Sequence, residues 1–307
     1  MSDPHDKVRS ELSGRLADGA TWYVLVDPAI NDPLEEVDGR DQATPVLIQH
    51  QDLPGHFRPY LLKLGDIGRD SRIDRTIRIA VDEATRKSPQ NGSKRSLCGW
   101  IASEHKSEAV ASYLARQARI AVLGRSRLLR IWDPRTLDLL QHLLTVESMR
   151  TLVPPESRWW WLGRDSAVKQ LERSVADTGG EAQLPIDDKG VESLLLAESL
   201  HSALNVLQDM KSDVGPETVR IIMGALRRAR SHWGVAEPVD LVRFALHARL
   251  VHEAFDSDEQ VRLAMNASSS SPVRALSSFD EPAWSAVRER LSRIRNKVDE
   301  KEMEHHG

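Results

Sequence analysis

The sequence predicts an N-terminal lobe of the α/β or α+β class over residues 15–175 and an all-α lobe over residues 191–304. In the first half, short apolar segments rich in aromatic and β-branched residues alternate with helical patterns, which is typical of a sheet covered by helices. Beyond about residue 175 the strand patterns end and apolar residues recur at helical spacing. Residues 176–190 are rich in aspartate and glycine and are interpreted as a linker.

The predicted strands begin with Thr21–Asp27, a continuous apolar run that ends at an Asp-Pro pair. Pro45–His50 and Pro59–Leu64 each start at a proline, and a proline favours extended backbone in the residue before it. Three shorter apolar runs complete the predicted strands, and the last of them is expected to close the lobe: Gly99–Ala102, Arg127–Trp132 and Trp159–Leu162.

Three helices are predicted in the first lobe. Apolar residues at helical spacing predict one across Ile73–Val81, and an amphipathic pattern with serines near its start predicts a second over Ser103–Gly124. The third covers Arg135–Leu144, because Asp133 is a good helix cap and Pro134 is tolerated at the first helical position.

The second lobe carries five segments with helical periodicity and little strand pattern. They are Val191–Met210, Pro216–Trp233, Pro238–Phe255, Asp258–Ala267 and Pro282–Glu304.

The composition restricts the class of protein. Of 307 residues, 40% are hydrophobic and 29% are charged, which predicts a folded chain. The net charge of −4, with neither half basic, does not favour a nucleic-acid partner. A single cysteine, Cys98, excludes an intramolecular disulfide, and no apolar run approaches the ~18 residues that span a membrane. We therefore expect a cytoplasmic protein without a membrane span.

Sequence motifs for catalysis or cofactor binding are not found. The chain has no Walker loop, GxGxxG, GxSxG or HExxH motif. His247 and His252 are five residues apart, on diverging faces of a helix, so neither a metal nor any other cofactor is expected. Cys98 is interpreted as a buried structural thiol. Asp27 and Asp133 each precede a proline and are interpreted as turn or cap residues.

Two groups of residues are candidates for binding a protein partner. Trp159, Trp160 and Trp161 are consecutive in a predicted strand, where neighbours point to opposite faces, so at least one should face away from the core. Such a tryptophan either packs under the helical lobe or is an exposed anchor for a partner. The second group is a basic run in the helix Pro216–Trp233, interpreted as a solvated face, an ion-pair surface or a phosphate contact: Arg227, Arg228 and Arg230.

Arg135 lies at the start of its helix, where a positive charge is unfavourable against the helix dipole. We therefore expect it to pair with a carboxylate, Asp27 or another acid, and so to join two strand ends.

Leu129–Leu137 (LRIWDPRTL) resembles a motif of the family known as domain of unknown function 4123. That family shows an apolar residue, an arginine, two apolar or aromatic residues, Asp-Pro-Arg and a leucine. Other matches occur in the same order, at Tyr23–Asp27, Pro33, Leu34, Pro59, Tyr60, Leu61, Trp100, Ser103, Leu114 and Arg116. The chain departs from the family at Pro28, where glycine is usual, and at Leu152-Val153-Pro154, where Phe-Gly-Pro is usual. The resemblance covers Thr21 to Trp161.

Family members are chaperones or adaptors for type VI secretion effectors. The resemblance implies a non-enzymatic protein that binds one effector, near its N-terminal region, and delivers it to the spike protein. The motif residues carried over are Asp27, Arg130, Trp132, Asp133, Pro134 and Arg135.

Two alternatives remain. One is an α/β enzyme with a site around Asp27, Asp133 and Arg135. Burial and mutual pairing of these three side chains would favour a scaffold, whereas an open cavity would favour the enzyme. The other is a nucleic-acid binder that uses the arginines of Pro216–Trp233, against which the acidic balance of that lobe argues.

Overall fold

The computed structural model of the chain divides into two compact units, Met1–Val191 and Glu192–Gly307. The residues that it describes are 4–13, 19–29, 32–37, 39–65, 71–85, 95–122, 124–174, 184, 186, 188–268 and 271–305. Of the predicted linker, 176–190, the residues before 188 lie outside the described residues except for 184 and 186.

The first unit is built on a six-stranded sheet whose strand order is β2-β3-β1-β4-β7-β8, with every neighbouring pair antiparallel. Its strands are β1 (Thr21–Val26), β2 (Thr44–Pro45), β3 (Tyr60–Leu64), β4 (Leu97–Ser103), β7 (Ser157–Leu162) and β8 (Val168–Arg173). The mixed class predicted for this lobe is confirmed, and its antiparallel pairing makes it α+β.

Two of the strand predictions for this sheet are wrong in extent. Pro45–His50 does not form a full strand, because only Thr44 and Pro45 pair with β3. Trp159–Leu162 does not close the lobe, because β8 follows it and forms a hairpin with β7. The sequence of β8, VKQLER, has no continuous apolar run, since an edge strand has a free side and need not be buried throughout.

Helices cover both faces of this sheet. The helices of the unit are α1 (Pro4–Ser13), α2 (Ser71–Thr85), α3 (Ser107–Gln117), α4 (Pro134–Leu143) and α5 (Val146–Arg150). On one face, alternate residues of the strands, among them Trp22, Val24 and Trp160, form one apolar core with α1 and α2. On the other face, Trp161 reaches Asp138 of α4 through a hydrogen bond. Because both faces are buried, the central strands are apolar throughout.

A separate hairpin follows α3. Its strands are β5 (Arg119–Val122) and β6 (Arg125–Leu128), and they pair only with each other within the described residues. The predicted helix Ser103–Gly124 is therefore too long, since α3 ends at Gln117 and its N-cap is Lys106 rather than a serine. The predicted strand Arg127–Trp132 ends at Leu128, so most of the LRIWDPR motif lies in the turns that lead into α4.

The rest of the described chain is helical, as predicted. Its α-helices are α6 (Asp188–Leu195), α7 (Ala197–Asp209), α8 (Pro216–Ser231), α9 (Pro238–Leu250), α10 (Glu259–Ala267) and α11 (Glu281–His305). The predicted helix Val191–Met210 is two helices, because Leu196 interrupts it. Phe244, Phe255 and Trp284 pack together in the core of this unit. Among the described residues, no helix is both long and apolar enough to cross a membrane.

Candidate functional site

Polar residues collect at one end of the central strands. Asp27 follows the end of β1, Ser96 precedes β4, and Gly163 follows β7. Because β4 runs antiparallel to both neighbours, its start lies beside the ends of β1 and β7. The backbone N–H of Asp27 donates to the carbonyl of Ser96 at 2.8 Å, and this bond joins the end of β1 to the start of β4. We call this region the strand-end cluster, consisting of Asp27, Glu83, Arg95, Arg130, Trp132, Asp133, Arg135, Asp138 and Arg164.

Asp27 is the central acid of the strand-end cluster, and its exposed fraction is only 1%. One carboxylate oxygen accepts from the backbone N–H of Ala29 at 3.0 Å. The other accepts from the indole N–H of Trp132 at 2.9 Å and from the guanidinium of Arg130. Three residues of the sequence motif, Asp27, Arg130 and Trp132, therefore come together across about a hundred residues of chain.

Asp133 caps α4 and binds Arg135 at the same time. Its carboxylate accepts from the backbone N–H of Arg135 at 2.9 Å, while Pro134 occupies the first helical position. The guanidinium of Arg135 donates from Nε at 3.0 Å and from Nη2 at 2.6 Å to the two oxygens. Burial opposes the charge on Arg135, but the hydrogen bonds that it donates to Asp133 outweigh this effect and raise the pKa of Arg135.

The prediction that Arg135 pairs with Asp27 or another acid is confirmed for the second alternative, because it binds Asp133. Arg135 forms its ion pair with Asp133, which is only two residues away. The arginine that pairs with Asp27 is Arg130. The helix-dipole argument identified the need for an acid correctly. A carboxylate that already caps the helix start satisfies that need locally, so no long-range partner is required.

Two buried arginines belong to the strand-end cluster and were missed by sequence reasoning. Arg95 donates to the carbonyls of Leu162 and Gly163, both at 3.2 Å, and so ties β4 to the end of β7. Burial lowers the pKa of Arg95, and the positive charge of Arg135 lowers it further. For the same two reasons the pKa of Arg164 falls to about 10. The sequence offers no pattern that marks either arginine as buried.

Asp138 was also missed, although α4 offered a clue. It is an acid within an otherwise apolar stretch of helix, flanked by Leu137 and Leu139. In the structure its oxygens accept from the indole of Trp161 at 3.0 Å, from the backbone N–H of Arg164 at 2.6 Å and from Lys169 Nζ at 3.0 Å. A buried acid among leucines requires such partners, and this could have identified it.

Glu83 connects α2 to the same end of the sheet. One of its oxygens accepts from the backbone N–H groups of Ser96 at 2.9 Å and Leu97 at 3.1 Å, and the other accepts from the Ser96 hydroxyl. Burial raises the pKa of Glu83 in spite of these bonds. Cys98, next to this region, is fully buried, and burial followed by the charge of Asp27 raises the pKa of its thiol well above normal.

The prediction that one of Trp159, Trp160 and Trp161 faces away from the core is wrong. All three are fully buried, because helices cover both faces of the sheet. Trp160 stacks on Trp22 with ring centroids 4.8 Å apart, and Trp159 lies against Gly99 of β4. Because they have no exposed surface, their assignment as exposed anchors for a partner has no support in this structure.

Two of the three arginines in the basic run of α8 bind partners within the helical unit. Arg228 binds the carboxylate of Asp256 at 3.2 Å and the carbonyl of Glu253. Arg227 donates to the Ser193 hydroxyl at 2.7 Å. Arg230 is exposed. Arg227 and Arg228 thus make contacts within the helical unit while remaining partly exposed, and Arg230 is the most exposed of the three.

Two surface hollows among the described residues of the first unit are not lined by Asp27, Asp133 or Arg135. One lies beside Ser157, Arg158 and Glu172, and the other lies along α2 beside Arg75 and Asp82. Within the described ranges there is no group of three or more histidine, cysteine or acidic side chains arranged to hold a metal ion. His247 packs against Trp284 in the helical core, and burial lowers its pKa.

The fold and the strand-end cluster define a class: an α+β domain with a cluster of charged side chains, most of them buried or half-buried, at one end of its central strands. Residues 22–150 match the family described as Domain of unknown function (DUF4123), the family that the sequence motif resembles. The match runs from β1 to α5 and stops before β7, somewhat short of the predicted limit at Trp161. No curated protein and no solved structure matches the chain.

Proposed function

We propose that this protein is a non-enzymatic adaptor or chaperone that binds a type VI secretion effector in the cytoplasm and helps to load it onto the spike protein. The effector's N-terminal region is the expected binding segment. The proposal takes this role from the family resemblance, and the match of residues 22–150 to the DUF4123 family supports it. No cofactor and no turnover are part of it.

The observation that carries the proposal is that the two motif carboxylates, Asp27 and Asp133, accept hydrogen bonds from within the protein. Both oxygens of Asp27 accept hydrogen bonds from the protein, and both oxygens of Asp133 are held by Arg135. A general acid or base has to reach its substrate within hydrogen-bond distance. Carboxylates enclosed in this way act instead as a rigid scaffold, which holds the surface of the domain in one shape for a partner.

Candidate contacts for the client are apolar side chains that the folded chain leaves in water. In the helical unit Val239, Leu263 and Ile294 are each about 60% exposed. Covering such groups is favourable by about 25 cal/mol per Å² of apolar surface. The exposed Arg230 lies in the same unit.

The proposal is tested by capture and by secretion. The tagged full chain is expressed in the source bacterium, with the tag alone as control, and bound proteins are identified by mass spectrometry. We expect one dominant secreted toxin-like protein, with or without the spike protein. Deletion of the adaptor gene should stop the export of that same protein, and a plasmid copy should restore it.

A double variant, Val239→Glu/Leu263→Glu, extends the test to the helical unit, and a matched change of two exposed polar residues, Gln260→Glu/Asn266→Glu, is its control. Capture of nothing specific from cells that express the secretion system would overturn the proposal, as would normal export after gene deletion.

A further inference from the structure

The hairpin β5–β6 lies in a basic stretch of the first unit. Residues 109–132 contain five arginines and no aspartate or glutamate. Four of these arginines are on the end of α3 or on the hairpin: Arg116, Arg119, Arg125 and Arg127. The whole chain has a net charge of −4, so this positive charge is local.

Arg125 and Arg127 are presented to solvent. Both side chains are exposed, and within the described part of the chain no acidic side chain pairs with either of them. Opposite them in the ladder stand Val122 and Ile120, which are buried. Arg116 is also exposed and lies over the ring of Tyr113. The outer strand β6 is therefore basic and open.

The outer edge of β6 also has free backbone groups. In an antiparallel ladder, opposed residues alternate between pairs that share hydrogen bonds and pairs whose N–H and C=O groups point outward. The backbone N–H of Leu129 donates to the carbonyl of Ala118 at 2.8 Å, which makes these two a bonded pair. The register then directs the backbone groups of Ser126 and Leu128 away from β5. No other described strand pairs with them.

An open edge of this kind is a template for one more strand. Arg125 and Arg127 are two residues apart, so their side chains lie on the same face of β6. In an added strand, side chains at alternate positions would lie opposite these two arginines, about 5 Å away. Carboxylates are the natural partners there, since the guanidinium fork binds them with two hydrogen bonds.

We propose that the edge of β6 binds an extended acidic segment of the protein client by strand addition, with carboxylates at alternate positions facing Arg125 and Arg127. Identification of the occupant as the client rests on the proposed function. A protein is favoured over a nucleic acid because the outward N–H and C=O groups of Ser126 and Leu128 pair with a polypeptide backbone, whereas phosphates would use only the arginines.

A direct binding test uses the purified full chain and a fluorescein-labelled peptide of alternating glutamate and valine. Fluorescence polarisation should show binding that weakens with salt, and a peptide with lysine in place of glutamate should not bind. Arg125→Glu/Arg127→Glu should lower the affinity by about tenfold or more. Lys63→Glu/Arg262→Glu reverses two exposed charges elsewhere and should leave it within about twofold.

A second variant separates the backbone edge from the charge. Ser126→Pro keeps every arginine but removes the outward N–H, and that N–H does not serve the hairpin itself. We expect the affinity to fall by about fivefold or more, while Ser126→Ala retains it. Circular dichroism and thermal melting check that each variant folds. Unchanged peptide binding by a folded Ser126→Pro variant would overturn strand addition. Tighter binding of a single-stranded DNA oligonucleotide, unaffected by Ser126→Pro, would overturn the choice of a protein occupant.

Capture from cells separates this inference from the proposed function. If the wild-type chain captures an effector and Arg125→Glu/Arg127→Glu captures it equally well, the inference fails while the adaptor proposal stands. If the wild-type chain captures no effector, the adaptor proposal fails, and the peptide titration still decides whether β6 is an acidic-strand site.

Discussion

At the scale of single residues, Asp27 connects the sheet to the sequence motif before α4. It ends β1, turns the chain through its bond to Ala29, and holds Arg130 and Trp132 from the segment before α4. Only one of these partners is fully protected from water, because the side chain of Arg130 is 45% exposed. The indole of Trp132 is buried, and within the described residues its N–H donates to Asp27 alone.

Asp27→Ala should therefore lower the free energy of unfolding by about 3 kcal/mol, because it leaves a buried indole N–H and a guanidinium without their acceptor. Trp132→Phe removes only one donor to Asp27 and should lower the free energy of unfolding by less, although it also replaces a buried indole with a smaller ring. The measurement is urea unfolding followed by circular dichroism.

Asp52→Ala is the control for this prediction, because the side chain of Asp52 is 68% exposed and its one ion-pair partner in the described part of the chain is His50, at 3.5 Å. Exposed pairs of this kind contribute little to stability, and little change is expected. An Asp27→Ala variant as stable as the Asp52→Ala variant would show that the Asp27 contacts do not stabilise the fold.

At the scale of elements, the approach of β4 to β7 depends on one glycine. Gly99 has φ of +135°, and a Cβ there would lie 2.3 Å from the carbonyl oxygen of Trp160 and 2.7 Å from the indole nitrogen of Trp159. Neither neighbour has room to move, since both tryptophans are fully buried. The three consecutive tryptophans therefore pack without exposure partly because β4 offers no side chain at this position.

Gly99→Ala should destabilise the chain by about 3 kcal/mol or more, through the clash and the positive φ together. Gly124→Ala is the matched control. It also has a positive φ, +73°, but an added Cβ there would meet nothing within 4 Å. The control should lose only about 1 kcal/mol, from backbone strain alone. Equal losses in thermal or urea unfolding would contradict the close packing of β4 against β7.

At the scale of the whole molecule, the chain comprises two units, each with its own buried core. The segment matched to the DUF4123 family ends at residue 150, yet the sheet of the first unit continues through β7 and β8. Without β7, the strand β4 would lose its neighbour and Trp22 would lose the stacked ring of Trp160. The family segment is thus shorter than the unit that folds.

Fragments 1–187 and 188–307 should each unfold in a single cooperative transition, because each retains its own core. Fragment 1–150, which contains the family segment but lacks β7 and β8, should not fold. Thermal melts followed by circular dichroism, with the full chain measured alongside, test this. A cooperative transition in fragment 1–150, or its absence from fragment 1–187, would contradict the assignment.

Local features could be predicted from the sequence with good success. The cap at Asp133 with Pro134, the apolar strand that ends at Asp27 and the helices of the second unit all depend on neighbouring residues. Capping and helical periodicity act over three or four positions, so the pattern is visible in the chain itself. The Asp-Pro-Arg motif is visible in the sequence for the same reason, because its three residues are consecutive.

The sequence by itself determined a mixed lobe followed by a helical one, the starts of most elements and a resemblance to the family whose model matches residues 22–150. Only the tertiary structure decided the antiparallel strand order, the pairing of Asp27 with Arg130 and the burial of all three tryptophans. Arg130 lies 103 residues from Asp27, and such a contact depends on which strands become neighbours. Local propensity carries no information on that choice, because burial and pairing are settled by the packing of the whole sheet.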